Sequence, residues 1–503
     1  MQPNTTGRDQ QDAPGLSYLS QIADVRICRD VYGGTRTMRD AGERYLPQYP
    51  KEDPGTYETR LNGAILYNAT KKTVKGLAGM VFRKAPVLGD DVPVQIAGQE
   101  PDGDGQEQVV GHAENIDLAG RHLDTFLRDV FSAKVVDGHT FIVVEWRDKE
   151  GARSRQEEEG ARPYWIHVLK EQAIRWWTES RGGETVLVSF AYKETAIVRD
   201  GEFGQKQIQR VWQYDLTEGD RVQRRSWVKE GDKWKTDTEP VIISERLTKI
   251  PVVCDYAERT GFFESTPPLM DLVHENIEHY VTRSDRRQAL KIGQIPIFVT
   301  VGVDKDDVGV LSVGPSIGLA LPQGASASYV ETSGNAFDAS RTELQDIEQR
   351  MAALGLSILQ RQTRAAETAE AKRMDKSESD SQLAVMARAT GDAAEEALGL
   401  HVMWAPDLGT DGGSVTLNDD YMNQQLTGDQ VRAGLDMYRE RAWSLDTLWE
   451  FLLEGNIMPT SFNADLERVR LEEEPGRDLD ALRTLVRSDE PEEEDEPELE
   501  DAA

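Results

Sequence analysis

The chain is 503 residues long, enough for several packed units, and its 38% hydrophobic and 29% charged content is that of an ordinary globular protein. Lys and Arg number 58 against 90 Asp and Glu, a formal net charge of -32, which argues against a sequence reader or nuclease that grips phosphates through basic stripes. Cys28 and Cys254 are the two cysteines, too few and too far apart for a disulfide framework or a multi-cysteine metal site within one chain.

Residues 1–15 are polar, rich in Gln, Asp and Thr, and read as disordered; they lack the basic and apolar blocks of a signal peptide. No run of about 18 apolar residues occurs, so no membrane span is expected and the protein is expected to stay in the compartment where it is made. Helical patterns follow at Leu16 to Tyr32 and at Thr56 to Met80, where Leu61, Ile65, Leu66, Ala69, Val74 and Leu77 keep helical spacing only approximately. Gly89 to Gly111 reads as a Gly/Asp/Gln loop, and Leu118 to Val136 as a helix. From there β-type runs dominate: TFIVVEW, YWIHVL, AIRWW, ETVLVSFAYK, QIQRVWQYDL, RRSWV and PVIIS, a meander that suggests a barrel-like or sandwich subdomain. Trp165, Trp176, Trp177, Trp212 and Trp227 sit among aliphatics at strand spacing without Arg/Lys interleaving, so they read as core and interface residues rather than a base-stacking platform.

The most informative stretch runs from Ser265 to Met386. Thr266 and Pro267 read as a helix N-cap and first position, and Leu269, Leu272, Val273, Ile277, Tyr280 and Val281 form an apolar stripe. Arg283, Arg286, Arg287 and Lys291 crowd the end of this helix before Gly293, where cations suit the negative end of the helix dipole. Ile295 to Tyr329 carries short β-type segments, IPIFVTV, GVLSV and IGLAL, and reads as a small sheet-rich insert. A second helix is expected from Ser340, whose spacing to Glu343 is that of a capping box, with Leu344, Ile347, Met351 and Leu354 as its stripe, Glu343, Asp346 and Glu348 on an acidic polar face, and Gly355 as its stop.

Arg361 to Ser381 is polar, concentrates Arg361, Arg364, Lys372, Arg373 and Lys376, and reads as an exposed basic loop. A helix from Gln382 to His401 follows, carrying Leu383, Met386, Thr390, Ala394, Ala397 and Leu398 on one side. Thr427 and Gln430 have capping-box spacing, Ser444 is placed to cap LDTLWEFLLE, with Gly455 as that helix's stop, and Asp489 to Asp501 is an acidic tail that cannot bury a core.

A complete catalytic signature is missing from the sequence. There is no GxxxxGK[ST] phosphate loop; GPSIG at Gly314 to Gly318 matches the bare GxSxG spacing but stands within the sheet-rich insert, and the seven histidines form no evident triad. His112 and Glu114 make an HxE without the cysteine pair a zinc site would need. DKDDVG at Asp304 to Gly309 is shaped like a calcium loop, but no glutamate stands where the bidentate ligand belongs. Neither an enzymatic centre, a metal nor a cofactor is expected.

TPPLMDLVHENIEHYVTRSDRRQALK, then IPIFVTVG, then GPSIGLALPQGASASYVETSG, then a helix ending in LG and a Thr/Ala/Glu loop resemble a portal protein of a tailed bacteriophage. Arg44 to Val87 is similar to the opening of portal-like phage head proteins, and GSVTLNDDY to the strand before their last helical region, so the resemblance spans about Arg44 to Glu454. It implies an α+β portal fold with wing, stem, clip and crown. The wing would be residues 16–264, with its meander at 139–256, and the first stem helix 265–293. Next would come the clip at 294–336, the second stem helix at 337–356, the tunnel loop at 357–381 and a long wing helix at 382–408. Wing end and crown would occupy 409–485, and the acidic tail 486–503.

The resemblance further implies a homo-oligomeric ring of about twelve copies at one capsid vertex, closed by a heterologous contact. Double-stranded DNA would pass through it without sequence specificity. Terminase, the major capsid protein with its scaffold, and a head-tail adaptor would be its partners, first in the host cytoplasm and then in the virion. Leu269, Leu272, Ile277, Tyr280, Leu344, Ile347 and Met351 would pack subunits together in the stem, and Arg361, Arg364, Lys372, Arg373 and Lys376 would face the DNA. A repulsive wall with few cations suits sliding DNA, although acidity serves solubility equally well. The alternatives from other classes are a phage minor head protein with nuclease or protease activity, which needs a metal or nucleophile constellation, and a soluble scaffold or adaptor, which needs a more helical chain.

Overall fold

In the computed structural model the described residues are 10–99, 108–146, 161–293, 297–302, 324–330, 335–357, 382–405, 408–409, 411–419, 428–454, 457–458, 462 and 464–473. The chain divides into two units, Met1–Tyr421 and Met422–Ala503. The first mixes helix and sheet, an α+β arrangement.

It opens with α1 (Leu16–Gly33), the short α2 (Thr35–Asp40), α3 (Pro54–Gly63) and α4 (Ala69–Val81). The single helix expected over Thr56 to Met80 is two. Ala64 and Leu66 are buried between them, and the Asn68 side chain accepts from the Lys71 amide at 2.8 Å, restarting the helix as an N-cap. The Gly89 to Gly111 region carries the strand β1 (Val87–Leu88) at its threshold and a short helix α5 (Val94–Ala97). α6 (Leu123–Asp137) starts later than expected, because Leu118 adopts a positive φ of 56° that no helix tolerates. α6 ends at Gly138, φ 90°, where a Cβ would lie 2.5 Å from the Ser265 hydroxyl and 2.9 Å from the Thr266 carbonyl carbon. Only glycine allows that turn to lie against the segment entering the next long helix.

β2 (His139–Trp146) is buried along nearly its whole length. It is the centre of a three-stranded antiparallel sheet, between β3 (Pro163–Val168) and β9 (Val252–Tyr256). The other strands, β4 (Ala173–Arg181), β5 (Glu184–Asp200), β6 (Gly204–Leu216), β7 (Val222–Glu230) and β8 (Lys233–Ser244), form a five-stranded antiparallel meander in chain order. The meander is therefore an open sheet beside a smaller one, and neither is a closed barrel. One face packs into the main core through Phe190, Tyr192 and Tyr214; the other covers a small cluster of Ile174, Ala191 and Val211 with Trp227 and Trp234. The β5–β6 arm runs out to exposed Ile197 and Phe203.

After the hairpin β10 (Arg259–Gly261) and β11 (Glu264–Ser265) comes α7 (Met270–Gly293). It begins three residues after Pro267, whose carbonyl accepts the Met270 amide at 3.3 Å. β12 (Ile297–Val301) and β13 (Ser326–Val330) pair antiparallel, and α8 (Asn335–Ser357) returns. Ser340 therefore lies inside α8 rather than capping it, and Gly355 lies within its last turn, where it lets Thr73 of α4 approach to 3.0 Å of a Cβ position. Of the insert's segments, GVLSV and IGLAL lie outside the described residues. α9 (Gln382–Trp404) packs on β2 and β9, and β14 (Val415–Thr416) pairs with β1.

The second unit contains α10 (Gly428–Arg439), α11 (Leu445–Glu454) and α12 (Ala464–Glu473). Ser444 caps α11, its hydroxyl accepting the Thr447 amide at 3.2 Å, as the spacing predicts. Thr427, Gly455 and Asp489 to Asp501 lie outside the described residues.

Candidate functional site

α7 and α8 are 24 and 23 residues, about 36 and 34 Å at 1.5 Å per residue. The β12–β13 hairpin joins the end of one to the start of the other, so they run antiparallel. Polar contacts hold them in register: Arg350 Nε donates to Glu275 at 2.9 Å with Glu278 at 3.8 Å, and His279 Nε2 lies 3.2 Å from Glu348.

The pair is anchored on the body through its first half. Asn276, fully buried in α7, accepts from the Thr70 amide at 3.2 Å and its hydroxyl at 3.1 Å, and donates to the Tyr67 carbonyl at 2.6 Å. It thus serves the N-terminal turn of α4, where orphan N–H groups need an acceptor. Higher on α7, Asp285 accepts from Tyr49 at 2.5 Å and lies 3.5 Å from Arg60, whose guanidinium forks onto Glu52 with two 2.8 Å bonds. Arg60 and Glu52 are both nearly sealed from water, and Arg60 also lies 4.2 Å over the Tyr49 ring.

Leu269 just before α7, Leu272 and Tyr280 on it, and Leu344, Ile347 and Met351 on α8 are buried within this one chain, and Ile277 is half-buried against the same core. Their burial comes from the pairing of α7 with α8 and from α1 and α4. The stripes assigned to subunit packing are thus already covered by the chain itself, since a helix that rests on its own body spends its apolar face there. Arg361, Arg364, Lys372, Arg373 and Lys376 lie outside the described residues, between α8 and α9.

α9 is locked by a polar contact that no sequence signal marks. Lys134 of α6 donates to Asp255 of β9 at 2.6 Å and to the Met386 carbonyl of α9 at 2.7 Å, while Thr390 donates to the other Asp255 oxygen at 2.9 Å. Lys134 and Asp255 are completely buried, and desolvation pushes the lysine down and the carboxyl up, each opposed by its partner's charge. A second cluster lies where the body feeds α7. Arg29 forks onto Asp137, Lys170 donates to the Asp137 carbonyl at 3.1 Å and to Ser265, and His139 Nδ1 meets the Ser265 hydroxyl at 2.6 Å. Burial pushes Asp137 up to about 6 and Lys170 down to about 8.

At the far end of α9, His401 Nε2 meets His112 Nδ1 at 2.9 Å; burial, with Arg162 nearby, holds His112 down to about 4. Two histidines that look scattered in sequence, His112 and His401, therefore meet in space although 289 residues apart. Glu114 turns instead to His122, 3.3 Å away. Among the described residues no group of three or more His, Cys, Asp or Glu side chains could hold a metal ion.

Four of the tryptophans keep the expected core contacts, Trp165, Trp176 and Trp212 with the main core and Trp227 with the small cluster, but their surroundings differ from expectation. Trp165 is buried, but Trp177 is half exposed under Arg175, Trp212 carries Arg210 and Arg224 at 5.3 Å each, and Trp227 carries Arg225 at 5.0 Å. The cations come from cross-strand and same-strand neighbours, so interleaving exists in the sheet although linear spacing does not display it. Glu194 and Asp237 take up Arg210, Glu145 takes up Arg224 and Asp215 takes up Arg225, which makes this an internally neutralised surface.

A family described as a domain of unknown function, DUF4055, matches residues 268–405, the stretch from α7 through α9. No curated protein matches the chain. Three solved structures are similar over most of it, each at 12% identity and a TM-score of 0.36. They are the virion of a native gene transfer agent particle and the neck of the empty particle computed with C6 symmetry, each covering 87% of this chain and 98% of the other. The third is the neck of the native particle computed with C12 symmetry, covering 84% and 96%. At that score the likeness carries no argument about fold or function.

Proposed function

We propose that the chain is a portal protein, a non-enzymatic subunit of a ring through which double-stranded DNA enters and leaves a phage or phage-like capsid. The observation that carries the reading is the antiparallel α7–α8 pair, closed at one end by the β12–β13 hairpin and seated at the other on an α+β body. That order is the stem and clip order implied by the sequence resemblance. The polar interior of the body supports a structural role: its buried charges are spent on one another and on backbone carbonyls. Residues 357–381 would form the tunnel loop, residues 409–485 would supply the wing end and crown, and the ring would dock terminase, capsid protein and a head-tail adaptor in the virion. Among the described residues no helix is long and apolar enough to cross a membrane.

Native mass spectrometry and negative-stain imaging of the purified protein test the reading. A closed ring of about twelve subunits with a central hole is expected; a stable monomer at every concentration would sink it. Replacing Arg364, Lys372, Arg373 and Lys376 together by Ala should leave the ring intact and impair DNA packaging or retention. Loss of the ring would assign those four to subunit contacts instead.

A further inference from the structure

The upper halves of α7 and α8 carry opposite charges that form no ion pair with each other among the described residues. On α7 the row Asn276, Tyr280, Arg283, Arg287, Lys291 advances by three or four residues, so all five share one side of the helix. The first two are buried; the last three are exposed. The row changes from core to cation about halfway along α7. Asp285, the acid in this half, is engaged with Tyr49 and Arg60, and Arg287 donates to the Gly63 carbonyl at 2.7 Å.

On α8, exposed Asp338, Glu343 and Asp346 fall within an arc of about 140° at about 100° per residue, and Arg341 lies off that arc. Although α7 and α8 are paired, none of Arg283, Lys291, Asp338, Glu343 and Asp346 takes part in an ion pair among the described residues. A basic row and an acidic arc of matching length, at the same height and without an ion pair between them among the described residues, are complementary to each other between copies.

We infer that this surface is the contact between neighbouring copies: the α7 row of one chain, Arg283, Arg287 and Lys291, lies against the α8 arc of the next, Asp338, Glu343 and Asp346. Such a contact is heterologous, joining two different patches, and so repeats from copy to copy until a ring closes. The inference rests on the ring reading above and deepens it by giving the neighbour contact its residues. Charge sets the register here, because the apolar stripes of both helices are already buried inside each chain.

The test uses two charge-reversed full-length variants, Arg283→Glu/Lys291→Glu and Glu343→Lys/Asp346→Lys, with native mass spectrometry at low salt. All four positions are exposed, so circular dichroism and thermal unfolding should match the unaltered protein. Each variant alone presents like charge on both surfaces and is expected to lose the ring. Their equimolar mixture restores opposite charge at every contact and should give assemblies that alternate the two. Raising NaCl from about 0.05 to 0.5 M, where the screening length drops to a few Å, should weaken the unaltered ring. Rings from either variant alone, or none from the mixture while the unaltered protein forms them, would overturn this inference and leave the ring reading standing. An unaltered protein that never associates would overturn both.

Discussion

Lys134 and Asp255 show how a single buried contact can govern a whole helix. Neither side chain reaches water, and between them they bind β9, α6 and the first turns of α9. Lys134→Met would leave Asp255 without its cation in a dry site and is expected to cost about 3–5 kcal/mol, read from urea unfolding. Lys134→Met/Asp255→Leu removes both charges and should recover most of that loss; if the double variant is as unstable as the single one, the hydrogen bonds to Thr390 and Met386 dominate instead. No periodicity in the sequence points to this pair. Lys134 lies in a helix whose neighbours are nearly all apolar, and its partner is 121 residues away.

At the scale of elements, α7 does two jobs along one length. Its first half is a core helix, and the buried Asn276 fits it to the start of α4; its second half carries the cationic row. Asn276→Leu would strand the Thr70 amide and the Tyr67 carbonyl in a closed site, with an expected loss of about 2–3 kcal/mol. Amide exchange should then quicken in the first turn of α4 ahead of the β2–β3–β9 sheet; unchanged protection there would show that packing alone holds α7. At the other end of the chain, Ser444→Ala removes the cap of α11 and should cost about 1 kcal/mol of the second unit's stability, visible by the same exchange measurement. Helix existence was legible from apolar spacing, whereas helix starts were not. Ser340 and Glu343 have capping-box spacing, yet α8 begins at Asn335, because a capping signal inside an already favourable helix has no free N–H to satisfy.

For the molecule as a whole, buried neutral histidines predict acid lability. Burial holds His112 down to about 4 and His167 to about 3, and puts His401 well below the ordinary value of 6.5. In the unfolded chain these imidazoles take up protons near 6.5, so across this window the unfolded state binds more protons than the folded one. Their contribution to stability is complete above about pH 6.5 and falls as pH falls toward 4. His112→Gln should flatten the slope of melting temperature against pH in that range, and an unchanged slope would assign the effect elsewhere. The same proton uptake would separate α9 from the His112 turn, since two imidazolium rings with facing nitrogens 2.9 Å apart beside Arg162 repel.

The sequence by itself determined the order of elements: a helical opening, a long β meander, two long helices around a small sheet-rich insert, a third helix and an acidic end. These follow from local periodicity and turn chemistry, which act over a few residues and are written in the chain. Only the tertiary structure decided what the apolar stripes of α7 and α8 touch, because a stripe states that a face will be buried without stating against what. The same holds for the polar core, where Lys134 with Asp255, His112 with His401 and Asn276 with Thr70 come together from positions 121, 289 and 206 residues apart. Such contacts are products of packing, and linear spacing carries no trace of them.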